Sequence, residues 1–444
     1  MTNSECQVLL DFGGTHTKAE AWRNGTKIRQ IRVTSTPVLV GSNGERTISP
    51  KYFANHVDEV FRYITEDLDS PPRVAITGQM ATFIIVDPSG SPLTPIISWQ
   101  DERTQRISFN KKTWVEELKD LLTINGYEFW DGLRPGMPIS YISALVKQGL
   151  RLENATILSV NQFAALLLNP KLSPGDLRIH KSEAAATGLY DPFSECWATS
   201  IAKVLEIPTS AFPTVSTEFG PIGVNIKSEV DILTPIGDFQ AALVGTGLRK
   251  NEIFMHIATG GQVARVLDRQ NRKFETRATW SHLQIRPSAI GDGLILTKTH
   301  LPAGRLLAGI VSLLATSGAN NPWERIDEAV GEGSHITFEL DEESQDSFHL
   351  KGFRTNGFDV DKLVSAIVTG LHNRYVKIAS ELVSPDCEGL VFSGGALNKL
   401  PRFMDQFEEK LDMQKSRRFL REDTSLLGLV YLIDALDNER TPPR

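Results

Sequence analysis

Cysteine is scarce and poorly placed for cross-linking: Cys6, Cys196 and Cys387 are odd in number and far apart. They make neither a disulfide framework nor a zinc-binding spacing, and they suit a reducing compartment. Long apolar runs are missing as well; none approaches the roughly 18 residues that a membrane-spanning helix needs. Positive charge is not in excess, since the formal net charge is -7. That balance argues against nucleic acid or an anionic membrane as the main partner, although a local basic site stays compatible with it. Met1–Glu5 have no basic stretch of the kind that opens a secretory leader, so a cytoplasmic location is expected. No low-complexity segment interrupts the chain.

What is present describes a globular protein: 444 residues, 41% hydrophobic and 23% charged. That length exceeds one ordinary core, so two domains are expected, 1–246 and 247–444. Phe53, Val57, Val60, Phe61 and Ile64 recur at helical spacing, which predicts an amphipathic helix over 52–66. Pro71-Pro72 ends it, Val74–Ile76 starts a strand, and Thr82–Val86 alternates towards the turn Asp87-Pro88-Ser89-Gly90. Residues 104–180 read as largely helical, with breaks at Arg134-Pro135-Gly136 and Asn169-Pro170; further helices are expected over 197–205, 305–315, 359–383, 401–411 and 425–436.

The chain is organised around Asp11-Phe12-Gly13-Gly14-Thr15-His16-Thr17-Lys18, which follows the apolar run Val8-Leu9-Leu10. Two glycines let backbone N–H groups approach anionic oxygens, while Thr15, Thr17 and Lys18 add donors: a device for holding phosphate. Asp11 carries the wrong charge for phosphate, so its suitable partner is Mg²⁺ or that ion's water shell. A plain Gly-Gly hairpin turn accounts for the same residues. The pattern of strand, Gly-Gly turn and strand recurs at Ile253–Ala258, Thr259-Gly260-Gly261 and Val263–Asp268, and a third glycine pair, Gly394-Gly395, follows Leu390-Val391-Phe392. The first two turns would hold the β- and γ-phosphates, and the third would form a wall of an adenosine site. For Gly394 and Gly395 a tight strand-to-helix connection is the structural alternative.

Asp238 follows Gly237 at the end of an apolar segment and precedes a small-residue helix. Local sequence alone favours a helix cap there. Set beside Asp11 and the glycine turns, Asp238 also meets the need of phosphoryl transfer for a base near an acceptor hydroxyl.

Asp11–Lys18, Gly78-Gln79-Met80, Trp99–Arg103, Gly237-Asp238-Phe239-Gln240, Thr259-Gly260-Gly261 and Gly394–Asn398, taken in order, resemble the FGGY family of carbohydrate kinases. The resemblance covers nearly the whole chain. It implies an α/β fold of two ribonuclease H-like domains of the actin, hexokinase and sugar-kinase type with an interdomain cleft. It further implies ATP, Mg²⁺ and a small-molecule sugar or polyol substrate. Asp238 matches the family's catalytic base and Asp11 its metal-associated carboxylate, with Asp238 also near the metal. Gln79, Met80, Trp99 and Asp101 fall in segments that line the sugar pocket, and Ala396 and Asn398 in the adenosine segment. An actin-like ATPase or a catalytically silent sugar-binding regulator would share the fold, and a homodimer is compatible with it.

Several positions depart from the family pattern. Met80-Ala81 stand where glycerol kinases carry Arg-Glu and xylulokinases Met-His, Phe239 stands where Gln or Asn is usual, and Ala258 replaces a glycine. Asp238-Phe239-Gln240 and Gln262 look most like sedoheptulokinases, so a ketose acceptor is expected.

Overall fold

A computed structural model describes residues 6–106, 108–109, 111–127, 132–222, 230–258, 260–268, 283–340, 348–352, 359–413, 415–419 and 423–438. The chain divides into two compact units, one of Met1–Gly245, Ile285–Asp292 and Asp423–Arg444, the other of Thr246–Gln284 and Gly293–Glu422.

The first unit is built on a mixed sheet. β1 (Cys6–Phe12) pairs antiparallel with β2 (His16–Arg23), and β2 with β3 (Thr26–Thr34). On its other edge β1 runs parallel to the strand Arg73–Gly78, which is itself parallel to Asp231–Ile232 and Ile236–Gly237. Successive β1 side chains enter different cores. Val8, Leu10 and Phe12 join Phe53, Val57, Val60 and Ile64 of helix α1 (Pro50–Thr65), whereas Leu9 joins Ile236, Leu429 and Ile433. Burial on both faces explains why β1 reads as a continuous apolar run. Helix α1 starts where Ser49 caps it, accepting from the Tyr52 amide, with Pro50 in the first turn.

The second unit repeats this plan. Strand Glu252–Ile257 pairs antiparallel with Gly261–Leu267, which pairs antiparallel with Leu294–Leu301. Glu252–Ile257 also runs parallel to Gly389–Ser393, and that strand to Lys415–Phe419. The repeat expected from the two glycine turns is therefore a repeat of whole sheets.

Two expectations need correction. Residues 104–180 are less helical than their composition predicts: helices Trp114–Ile124, Pro138–Lys147 and Val160–Leu168 are separated by the strand Thr156–Ser159 and followed by Arg178–His180. Strand Thr156–Ser159 pairs with Phe83–Val86, Ile157 opposite Ile85, and a short apolar run of this kind takes its form from an available edge, not from periodicity. The helix expected over 197–205 is shorter, Thr199–Val204, because Cys196–Trp197 pairs with Tyr190–Asp191. The other predicted helices are present as Gly304–Thr316, Val360–Leu382, Pro401–Leu411 and Thr424–Asp437. No helix among the described residues is long and apolar enough to cross a membrane.

Candidate active site

In the first unit the glycine turn, Gly78-Gln79 and Gly237-Asp238 all follow the carboxyl ends of parallel strands, where open α/β sheets bind ligands. Gly14 and Thr15 are exposed at the tip of the β1–β2 turn. Ser35, which the sequence does not mark, braces this turn: its hydroxyl donates to the Gly13 carbonyl at 2.7 Å, and its amide donates to the Thr15 carbonyl at 3.1 Å. A β-carbon on Gly13 would sit 2.8 Å from the His16 carbonyl oxygen, so the turn requires glycine there. Thr17 points the other way, buried against His56 Nε2 at 2.8 Å and Ser35 Oγ at 3.3 Å. Its hydroxyl braces the fold and does not line the exposed tip.

Asp11 is buried near the end of β1 and faces Lys18 across the β1–β2 ladder. Lys18 Nζ lies 3.8 Å from Asp11 and 3.0 Å from Asp423, while Ser425 Oγ donates to Asp11 Oδ2 at 2.7 Å. Asp11 Oδ1 has no hydrogen-bond partner among the described residues. Burial raises the Asp11 pKa above the usual carboxylate range, with Lys18 and Ser425 opposing that rise. Ser425 and Asp423 come from the C-terminal end of the chain and carry no local motif.

Asp238 opens the helix Asp238–Gly245 and stays half-buried. The Phe239 amide donates to its Oδ1 at 2.8 Å. Protein packed around the carboxylate pushes its pKa up to about 7, the charge of Asp11 adds to this, and Arg286 opposes it. A carboxyl group held near neutral pH is poised to accept a proton.

Three of the residues expected to line a sugar pocket, Gln79, Met80 and Trp99, lie beside Gly14 or Gly237. A β-carbon on Gly14 would stand 3.9 Å from both Gln79 Oε1 and Trp99 Nε1, and one on Gly237 would meet Met80 Sδ at 2.7 Å. Thr82, buried between them, donates to Gln79 Oε1 at 3.2 Å and accepts from the Trp99 amide at 3.2 Å. Asp101 is committed elsewhere: buried, it holds Arg103 through Nε and Nη2 and accepts from the Arg46 and Arg103 amides. Arg103 in turn lies over the Tyr141 ring at 4.4 Å. Asp101 is thus held in a buried ion pair with Arg103.

In the second unit Gly260 is exposed with open space beside it, whereas a β-carbon on Gly261 would overlap the Tyr375 hydroxyl. Thr259 lies outside the described residues. Gly394 has φ +108° and packs on the Ile257 carbonyl, so it serves the strand-to-helix connection; Gly395 is exposed, with nothing among the described residues within 4 Å of an added β-carbon. Ala396 donates its amide to the Ile257 carbonyl at 3.2 Å, and Asn398 is exposed in a single 3₁₀ turn. The two glycine turns therefore meet at the carboxyl ends of strands 252–257 and 389–393. Arg417, partly exposed, pairs with Glu252 at 2.9 Å.

Comparison with known proteins agrees with this layout. A family model described as the FGGY family of carbohydrate kinases, N-terminal domain, matches residues 6–245. Among curated proteins the chain is 22% identical over 280 residues to glycerol kinase 5 of Gallus gallus, covering 57% of this chain and 54% of that one. It is 28% identical over 200 residues to apulose kinase of Pectobacterium atrosepticum, covering 43% and 40%. The chain thus spans about half the length of the curated relatives it matches. Its fold is shared with a xylulose kinase from Lactobacillus acidophilus (TM-score 0.79, 15% identity, 99% and 91% of the two chains). It is likewise shared with Plasmodium falciparum glycerol kinase with ADP (TM-score 0.75, 17% identity, 96% and 89%).

Proposed function

The chain belongs to the FGGY family of carbohydrate kinases, and we propose that it transfers the γ-phosphoryl group of ATP to a hydroxyl of a sugar or polyol, with Asp238 as general base. The observation that carries this reading is the Asp238 carboxyl itself, held half-buried with a pKa pushed up to about 7 within reach of the charge of Asp11. The acceptor hydroxyl gives its proton to Asp238 as its oxygen attacks phosphorus; a base titrating near ambient pH is matched to that task. Backbone amides of the Gly13-Gly14 turn, held by Ser35, face the phosphates, and the Gln79–Thr82–Trp99 arrangement orients the acceptor. In the second unit the open faces of Gly260 and Gly395 leave room for nucleotide.

Asp11 and Asp238 would hold Mg²⁺. The fit rests on Asp11 Oδ1, buried without a partner, and on a sparse carboxylate set that leaves positions for phosphate oxygens. When bound, the ion supplies positive charge that offsets the phosphates.

For the acceptor we infer a ketose of five to seven carbons, such as D-xylulose, D-ribulose or D-sedoheptulose. Met80, Ala81 and Phe239 make one wall apolar, and glycerol needs fixed polar partners for each hydroxyl, each loss costing roughly 1–3 kcal/mol. A longer acceptor reaches past that wall to Gln79 and Trp99. The test is ADP release at saturating ATP with these ketoses and glycerol at one subsaturating concentration. A ketose should exceed glycerol in kcat/KM by more than about tenfold. Glycerol reacting fastest would overturn the acceptor assignment, and acceptor-independent ADP release would overturn the kinase reading.

A further inference from the structure

Gly237 precedes the proposed base and has no side chain of its own to fix its orientation. Its peptide group is nonetheless held at both ends. Thr77 Oγ1 donates to the Ile236 carbonyl at 2.8 Å, and the Gly237 amide donates to Ser182 Oγ at 3.1 Å, both bonds buried. Carbonyl and amide here belong to one peptide bond, so two hydroxyl groups clamp the Ile236–Gly237 peptide plane, one residue before Asp238.

The Ser182 end continues inward. Ser182 Oγ lies 2.7 Å from His180 Nδ1, and the Ser182 amide donates to the same nitrogen at 3.2 Å. An Nδ1 that accepts from an amide carries no proton, so the Ser182 hydroxyl hydrogen also points to it. The chain of bonds therefore has one direction: Gly237 N–H to Ser182 Oγ–H to His180 Nδ1. Burial pushes the His180 pKa down to about 3, which keeps the ring neutral. His180 and Ser182 are both fully buried.

We propose that Ser182, oriented by His180, is a positioning residue for phosphoryl transfer: it holds the Gly237 peptide so that Asp238 meets the acceptor hydroxyl. The proposal rests on the reading of Asp238 as the base. Ser182 is fully buried and acts through the Gly237 amide. Its loss therefore slows chemistry without weakening nucleotide binding.

The test compares Ser182→Ala, Ser182→Thr, His180→Asn, His180→Leu and Asp238→Asn in the full chain. The assay uses MgATP and whichever of D-xylulose, D-ribulose, D-sedoheptulose and glycerol the wild type turns over fastest. Ser182→Ala should lower kcat about 10- to 100-fold while KM for ATP stays within about twofold. Hydrogen–deuterium exchange at Gly237 should quicken at least about tenfold, because its buried donor has lost its acceptor. Ser182→Thr restores the hydroxyl and should restore kcat. His180→Asn keeps an acceptor near the Nδ1 position and should exceed His180→Leu in kcat. Wild-type kcat and unchanged Gly237 exchange in Ser182→Ala would overturn the proposal. If Ser182→Ala does not fold, equal kcat in the two His180 variants overturns it. The two readings separate cleanly: near-normal turnover in Asp238→Asn defeats the base assignment, whereas inactive Asp238→Asn beside fully active Ser182→Ala defeats only the clamp.

Discussion

Asp238, the proposed base, makes stability depend on pH. Its pKa rises from 3.8 to about 7 on folding, so between those values the folded chain keeps a proton that the unfolded chain has lost. Stability contributed by this group is therefore present at low pH and falls as pH rises towards about 7. Asp238→Asn removes that dependence. The variant should be more stable than wild type above about pH 7, with the advantage gone below about pH 4. Urea denaturation without nucleotide or metal across that range decides it, and a pH-independent difference would contradict it. The same variant should lose about two to four orders of magnitude in kcat; near-normal turnover would return Asp238 to the role of a helix cap. Gly395 gives a second test at this scale, because no described atom stands within 4 Å of an added β-carbon. Gly395→Leu should fold normally and raise KM for ATP more than KM for the acceptor. An unchanged KM for ATP would remove this turn from the nucleotide site. Ala81 is a third case, held at φ +59° directly after Met80. A β-branched residue tolerates that conformation poorly, so Ala81→Val should cost about 1–2 kcal/mol in chemical denaturation.

Among elements, the decisive contact is between helix Asp238–Gly245 and the C-terminal helix Thr424–Asp437. A β-carbon on Gly245 would lie 1.9 Å from the Thr424 carbonyl oxygen, and one on Gly428 would lie 1.9 Å from that of Ala241. The two helices pack backbone to backbone, which places Ser425 against Asp11 and carries the Asp238 helix on the same support. Gly428→Leu should therefore destabilise the protein by about 1–3 kcal/mol or more, read as a fall in melting temperature. A wild-type melting temperature would show that the contact is not as tight as its geometry.

For the whole molecule, the first unit is not a continuous stretch of chain. Leu426, Leu429, Leu432 and Ile433 share a core with Leu9, Ala75, Leu233, Ile236 and Ala241. Residues 1–245, though they contain the whole stretch matched by the family model, lack half of that core. A 1–245 fragment should thus fail to show a cooperative thermal transition, which a fusion carrying 423–444 should recover at least in part. A sharp transition in the bare fragment would mean that the C-terminal helix is dispensable.

Much was legible in the sequence because its signals are local. A continuous apolar run marked β1, helical spacing marked α1, and the two strand–Gly-Gly–strand copies marked the repeated sheets, each being a property of neighbouring residues. Gly13, Gly14, Asp11 and Asp238 could be singled out for the same reason: their residue types bear on chemistry wherever they stand at the end of a strand. Other outcomes depended on partners remote in the chain. Thr156–Ser159 became a strand because Phe83–Val86 offered it an edge. Arg417, though still partly exposed, is drawn to the buried carboxylate of Glu252. Asp101 was taken by Arg103, and Thr17 was turned inward by His56. Ser35, Ser182 and Ser425 carry no motif at all; a serine hydroxyl acquires a role only when folding sets an amide or a carboxylate beside it. The sequence by itself thus determined β1, α1 and the glycine turns, and which carboxylates are chemically eligible. Tertiary structure alone decided which of them share a site, because desolvation, charge coupling and hydrogen-bond direction are properties of distance in space.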